Sequence, residues 1–107
     1  MTGEEVRVLV YHQADDASSL RAAYREVSLA LGDVPGLLGN ELLESVVDPT
    51  GFVVASRWAD LDAFSRWEQG PDHRRSTASL RPYRDPRLAH PFGVYRVTRT
   101  YPASLVR

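Results

Sequence analysis

The spacing of apolar residues changes period along the first third of the chain. Residues 6–13 begin with a run in which valine occupies every second position, which is the period-2 pattern of a β-strand. From residue 17 to 31 apolar residues recur every three or four positions, which predicts an amphipathic helix closed by Gly32. Asp15 and Asp16 stand just before this helix and can cap its first turn. The periodic positions are Leu20, Tyr24, Val27 and Leu31.

Two more strands and a second helix follow. Residues 37–47 and 52–58 are rich in apolar side chains, and the strong turn Asp48-Pro49-Thr50-Gly51 between them predicts a hairpin. Asp60 can cap a helix whose apolar face carries Leu61, Phe64 and Trp67, and Gly70-Pro71 ends that helix. A short helical turn is expected to begin near Asp72.

The last third of the chain reads as a loop followed by a strand. Residues 80–91 contain three prolines, which predicts a long loop or lid, and residues 92–101 are β-rich. The order of elements is then βαββαβ, the split βαβ arrangement of a ferredoxin-like α+β sandwich. We expect residues 1–107 to form a single domain, because this length suits one modest core and no linker divides it.

Both faces of the predicted sheet carry apolar side chains. On the first strand Leu9 and Tyr11 are apolar as well as Val8 and Val10, and the strand at residues 52–58 shows the same feature. A sheet that is apolar on both faces needs a second covering layer, and the predicted helices supply only one. We therefore expect a homodimer closed sheet against sheet, in the arrangement of a dimeric α/β barrel.

Composition narrows the function classes. A hydrophobic fraction of 43% and a net charge of -1 describe an ordinary globular domain with no basic field for nucleic acid. The absence of cysteine excludes disulfides, thiolate metal sites and cysteine nucleophiles. The three histidines match no metal-binding spacing, so no metal is expected. No signal peptide or membrane span is predicted, which favours a cytoplasmic protein without membrane partners.

One stretch, residues 53–75, carries a more specific pattern. A strand runs into a Trp, a helix then begins at an acidic cap and contains an Ala-Phe pair, and a Gly-Pro-x-His turn follows. These features are Trp58, Asp60, Ala63-Phe64 and Gly70-Pro71-Asp72-His73. The pattern resembles the antibiotic biosynthesis monooxygenase family, and the upstream segment at residues 34–39 is similar to a Pro-Gly-Phe-Leu segment of that family. The resemblance covers residue 6 to about residue 97 and implies the same fold.

The resemblance also implies a chemistry. Quinone-forming members of the family oxidise aromatic polyketides with molecular oxygen and without flavin, haem or metal. Their pocket uses a helix Trp, a polar residue about six positions later and an Arg about twenty positions later, which Trp67, His73 and Arg87 match. The family also has a pocket Asn one helical turn before the Trp, where this chain has Ala63.

Each of these residues suits one task in that chemistry. Trp67 and Phe64 would form a stacking wall for a flat substrate. His73 would be the base, and Arg87 would stabilise the enolate oxygen. Tyr83 on the lid and His12 at the end of the first strand are further candidates for the pocket. His12 shares parity with the valines of its strand and should point toward the helices.

A haem-degrading branch of the family gives a poorer match. That branch uses an axial His about nine residues after the helix Trp and an Asn on the first strand. This chain has Ser76 and Val8 at those places, and neither a hydroxyl nor an alkyl group replaces an iron ligand and an amide. We therefore expect no haem, and no other cofactor.

Other interpretations of the same residues remain open. The fold also suits a non-oxidative polyketide cyclase or isomerase, and a non-catalytic dimeric domain for small-ligand binding or stress response.

Trp67 fits core packing as well as a pocket wall, and His73 fits a solvated helix start. Arg87 fits a surface ion pair with Asp85 or Glu68. Trp58 reads as a structural residue, and His90 as a loop residue, while Tyr95 and Tyr101 suit the dimer contact.

Overall fold

A four-stranded antiparallel sheet forms the centre of the molecule. The computed structural model describes residues 4–103. The strands are β1 (Val6–Gln13), β2 (Leu37–Glu44), β3 (Gly51–Trp58) and β4 (Phe92–Arg96), in the spatial order β2-β3-β1-β4. With the helices between them, this order confirms the predicted ferredoxin-like α+β fold.

The helices begin where the sequence supplies caps. Helix α1 (Ala17–Ala30) starts after Asp16, whose carboxylate accepts a hydrogen bond from the Ser18 amide at 3.0 Å. Helix α2 (Leu61–Gln69) starts after Asp60, which accepts from the Ala63 amide at 2.8 Å. The break after α2 is followed by the short helix α3 (His73–Ser76) and a 3₁₀ helix (Ala78–Tyr83). Among residues 4–103, no helix has the length and apolar character to cross a membrane.

Three predicted boundaries are wrong, and each has a local cause. Strand β2 ends at Glu44 because the Ser45 hydroxyl then accepts the amides of Val47 and Asp48, so the turn begins early. Strand β4 ends at Arg96 because that residue pairs with Val6, where β1 begins. The predicted lid starts as a 3₁₀ helix, since burial of Leu80 in the core holds the segment against the domain.

The pairing register divides the sheet into an inner face and an outer face. Val6, Val8, Val10 and His12 of β1 stand opposite Trp58, Ser56, Val54 and Phe52 of β3. These side chains form the inner face, which the helices cover, and most of the core residues in β1 and β3 belong to it. His12 therefore lies on the helix side, as its parity predicts, and only 2% of it is exposed.

Gly36 sets how closely β2 can approach α2. Residues other than glycine rarely adopt its φ of +87°, and a Cβ at this position would collide with the Cβ of Ala63. The carbonyl of Gly36 also accepts the Ala59 amide at 2.8 Å. The start of β2 is thus fixed against α2 by a glycine and an alanine in close contact.

Candidate active site

A cavity of about 250 Å³ lies between the inner face of the sheet and the helices. Most of its lining is apolar and comes from β1, β3, α1 and α2. This volume is slightly below the roughly 300–1,000 Å³ of common ligand pockets, which favours a compact ligand. The polar and charged side chains of the lining include His12, Ser28, Asn40, Ser56, Glu68, His73, Thr77, Arg81 and Arg84.

Three aromatic side chains form one wall of the cavity. The ring centroids of Trp58 and Trp67 are 5.2 Å apart at 30°, and Phe64 meets the Trp58 ring edge-on at 5.4 Å. Trp58 is 1% exposed and its indole nitrogen donates to the Ser56 hydroxyl at 2.9 Å, so it is also a core residue. The indole Nε1 of Trp67 is buried and has no hydrogen-bond partner within residues 4–103. A buried donor of this kind is available to a ligand oxygen.

His73 stands at the edge of this aromatic wall. The break at Gly70 turns the chain after α2, and the imidazole of His73 then meets the Trp67 ring edge-on, with centroids 4.5 Å apart. Burial lowers the pKa of His73, and the positive charges of Arg81, Arg84 and Arg74 lower it further, while Glu68 acts in the opposite direction. The imidazole is therefore neutral at neutral pH and holds a free lone pair.

His12 is the second imidazole of the lining. Its Nδ1 lies 3.0 Å from the carbonyl oxygen of Val10. A carbonyl only accepts, so Nδ1 carries the hydrogen and Nε2 keeps the lone pair. Burial lowers the pKa of His12 to about 4. This imidazole is thus neutral and fixed in one tautomer, but it is a weak base.

Arg84 and Arg81 bring positive charge to the cavity. The backbone of Arg84 forms an isolated bridge with His12, and the amide of the next residue, Asp85, donates to the Tyr11 carbonyl at 3.0 Å. The Tyr11 amide in turn donates to the Pro91 carbonyl at 2.7 Å, so both ends of the 85–91 loop are attached to β1. This attachment holds the Arg84 side chain at the lining.

Two predicted site residues lie elsewhere. Arg87 is not part of the lining, because its guanidinium donates to both carboxylate oxygens of Asp85 at 2.9 Å and to Asp48 at 3.0 Å. The ion pair with Asp85 matches the surface interpretation of Arg87. Tyr83 packs against the core around Leu20 rather than lining the cavity. Trp67, Phe64, His73 and His12 are brought together at one cavity.

Several lining residues were not identified from the sequence. Asn40 on β2 is held by Ser28 of α1, whose hydroxyl lies 3.2 Å from the Asn40 amide oxygen. Its register partner is Ser56, so two polar side chains face the helices from neighbouring strands. A polar residue at an inner-face position is a recognisable signal, but the irregular pairing between Leu37 and Gly39 hides the parity of β2.

The matches to known proteins agree with this geometry. A family model for antibiotic biosynthesis monooxygenases matches residues 5–78, which is more than half of the chain. This chain belongs to the antibiotic biosynthesis monooxygenase family. The match includes β1, α1, the hairpin and the segment with Trp67 and His73, and it confirms the resemblance seen in the sequence.

Individual relatives are more distant. Protein SchA of Streptomyces halstedii is 28% identical over 83 residues, and the match covers 76% of this chain and 22% of that protein. The chain therefore spans about a fifth of this curated relative. The structure of SnoaB, a cofactor-independent oxygenase from Streptomyces nogalater, matches with a TM-score of 0.76 at 20% identity, covering 94% of this chain and 100% of SnoaB.

Two further solved structures share the fold. A variant of SnoaB in which an asparagine is replaced by alanine matches with a TM-score of 0.77 over the same share of both chains. A conserved protein from Methanosarcina mazei matches with a TM-score of 0.70 at 12% identity, covering 87% of this chain and 92% of that one. At these identities the structural matches establish the fold alone.

Proposed function

We propose that this family member is a cofactor-independent monooxygenase of secondary metabolism, which oxidises an aromatic polyketide-like substrate with molecular oxygen. The observation that carries the proposal is the imidazole of His73, placed edge-on against Trp67 in a largely apolar cavity. An electron-rich aromatic substrate supplies the electrons for oxygen, so the protein needs a base, a flat binding wall and exclusion of water.

The reaction proposed is the conversion of an anthrone to a quinone. The base removes a proton from the ring CH₂ group, and the resulting enolate passes one electron to O₂. The substrate radical and superoxide then combine with a proton to form a hydroperoxide, which loses water to leave a carbonyl. The balance is CH₂ + O₂ → C=O + H₂O, with the substrate as the only reductant.

His73 is a better base for this step than His12. General bases work best when their pKa lies near the operating pH, and burial lowers the pKa of His12 to about 4. His73 is half-buried and Glu68 partly offsets the lowering of its pKa. We therefore assign proton removal to His73 and propose that His12 Nε2 accepts a hydrogen bond from the substrate. Trp67 and Phe64 are assigned to the stacking wall, while Tyr83, which packs against the core around Leu20, is given no part in the cavity.

The positive charge beside the developing enolate is assigned to Arg84 in place of Arg87. Arg84 lines the cavity, whereas Arg87 is bound to two carboxylates outside the lining. A guanidinium with free N–H groups stabilises an oxyanion in an apolar site more effectively than one already neutralised. Arg87 then acts by holding Asp85 away from Arg84.

The outer face of the sheet supports the homodimer. Leu9, Tyr11 and Val53 are half-buried there, while Leu43 and Tyr95 are 44% and 52% exposed. Contiguous apolar surface of this kind marks protein contact sites. We propose that a second copy covers this face in a cytoplasmic homodimer, which leaves the cavity of each copy on the opposite side of its sheet.

Oxygen uptake by metal-free protein with an anthrone tests the proposal. The expected result is one O₂ consumed for each quinone formed, in the presence of a strong chelator. A product isomeric with the substrate and no O₂ uptake would instead indicate a cyclase or isomerase. Ligand binding without any turnover would indicate a binding domain.

Variants of the imidazoles test the residue assignment. His73→Ala should lower kcat at least about 100-fold, because general-base catalysis contributes roughly 10²–10⁴-fold. His90→Ala is the matched control, since His90 is an exposed loop imidazole, and its kcat should be unchanged. Because the pKa of His73 is lowered, activity should persist below pH 6.5 and fall as that lower pKa is passed. Equal turnover by both variants would remove His73 from the mechanism.

A further inference from the structure

More positive than negative charges line the cavity. Arg81 and Arg84 supply two guanidinium groups, and Glu68 supplies the one carboxylate of the described lining. Glu68 is exposed and acts on His73, whose pKa it raises. An apolar cavity with surplus positive charge is costly to maintain unless an anion completes it.

Arg84 has no carboxylate partner within 4.0 Å in the described part of the chain. The carboxylate next to it in sequence, Asp85, is unavailable because Arg87 binds it through Nε and Nη2, each at 2.9 Å. The Arg87 amide adds a third hydrogen bond to Asp85, also at 2.9 Å. The Asp85 side chain is also only 8% exposed.

Arg81 is held in place by neutral acceptors alone. Its Nη2 donates to the carbonyl of Arg74 at 2.6 Å and to the hydroxyl of Thr77 at 3.0 Å. These bonds orient the guanidinium without neutralising its charge. Over residues 4–103 Arg81 also lacks a carboxylate partner, so both arginines of the lining keep their full charge.

We infer that the ligand of this cavity is an aromatic acid, whose carboxylate binds between Arg84 and Arg81 while its rings lie against Trp67. The inference rests on the proposed function only in placing an aromatic ligand in the same cavity. Guanidinium groups bind carboxylates through paired, charge-assisted hydrogen bonds, and an anion would relieve the repulsion between the two arginines. Burial lowers the pKa of Arg84, and the positive charge of Arg81 lowers it further.

Two probes that share one aromatic ring system and differ in charge test the inference on the unaltered protein. Binding of 2-naphthoate and of 2-naphthylmethanol is measured by quenching of tryptophan fluorescence and by calorimetry at pH 8. We expect naphthoate to bind about 10- to 100-fold more tightly, since hydrogen bonds to charged groups contribute roughly 1.5–3 kcal/mol. Raising the salt from low to high concentration should weaken naphthoate binding and leave the alcohol unaffected.

Variants assign the preference to the arginines. Arg84→Gln and Arg81→Gln should each bring the affinity for naphthoate to within a few fold of that for the alcohol, whereas Arg84→Lys should keep part of the preference. Arg25→Gln removes the same charge from the exposed side of α1 and should leave both affinities unchanged. Thermal unfolding of each variant shows whether it is folded.

The inference fails if the unaltered protein binds both probes equally, or binds neither while remaining folded. It also fails if Arg25→Gln lowers the preference as much as Arg84→Gln does, because the effect would then be one of overall charge. A protein that prefers the acid but consumes no O₂ with any anthrone would overturn the proposed oxygenase function and leave the acid site intact.

Discussion

The two faces of the sheet differ in how the chain covers them. On the inner face the helices reduce the exposure of Val6, Val8 and His12 to 1%, 6% and 2%. On the outer face, residues of the same strand such as Leu9 and Tyr11 remain half-buried, and Tyr95 is 52% exposed. One set of strands thus supports a cavity on the helix side and, on the other side, an apolar surface that residues 4–103 leave partly exposed. Alternate residues along each strand point to opposite faces of the sheet, so the position of a residue along its strand decides which of the two surfaces it joins.

The largest expected effect belongs to the inner face. Trp58→Ala removes a 1% exposed side chain that contacts Phe64 and Trp67, and we expect a loss of roughly 3–5 kcal/mol in the free energy of unfolding. Urea denaturation followed by circular dichroism measures the change. A loss below about 1 kcal/mol would mean that the inner face is not the main core.

The outer face should respond in assembly rather than in folding. Val53→Asp places a charge opposite Tyr11 and Leu43, at the centre of the proposed dimer contact. Burying an unpaired charge costs several kcal/mol, so the dimer dissociation constant should rise at least about 100-fold. Sedimentation velocity measures it, with Leu29→Asp on the solvent side of α1 as the control. An unchanged dimer would place the contact elsewhere.

Burial of His12 on the inner face should make the stability of the protein depend on pH. Burial lowers the pKa of His12 from 6.5 to about 4, so the folded state binds fewer protons than the unfolded state between these values. The free energy of unfolding should therefore rise from about pH 4 to pH 6.5, by up to ~1.4 kcal/mol per pH unit, and lose this contribution as pH falls.

His12→Gln isolates that contribution. The difference in stability between the unaltered protein and this variant should depend on pH, and His90→Gln, at an exposed loop position, is the matched control. Chemical denaturation at several pH values gives both curves. A flat His12 difference would show that this imidazole is hydrated and protonates freely in the folded protein.

The smallest effect is expected at the rim, away from both faces. Arg21 of α1 pairs with Glu44 of β2 at 2.8 Å, but both side chains are about half exposed, at 52% and 46%. Exposed ion pairs contribute roughly 0–1 kcal/mol. Arg21→Gln should therefore change the free energy of unfolding by less than about 1 kcal/mol, and by less still at high salt. A larger loss would mean that this pair determines how α1 packs on β2.

The fold followed from local patterns, because each strong pattern has one physical solution. The period-2 run in β1 and the aspartate caps of α1 and α2 act within a few residues, and the structure places those elements as expected. The strand ends were harder to predict. The end of β4 depends on where β1 begins, which is a contact between residues distant in sequence.

The candidate site was predictable only in part, for the same reason. Trp67, Phe64 and His73 lie within ten residues of one another, and the chain brings them together through α2 and its break. The place of Arg84 in the lining depends instead on where the 85–91 loop attaches to β1. Spacing pointed to Arg87, but its bonds to Asp85 and Asp48 turn that side chain away and leave Arg84 at the cavity.

In the ion pair between Arg87 and Asp85, an exposed side chain binds a buried carboxylate that adjoins a residue of the cavity lining. Asp85 adjoins Arg84 in sequence, and its carboxylate is engaged by Arg87. A mutation at Arg87 would free a carboxylate beside the cavity without altering any residue that a ligand touches. We therefore expect a substitution at this one exposed position to change the charge that the cavity presents to a ligand.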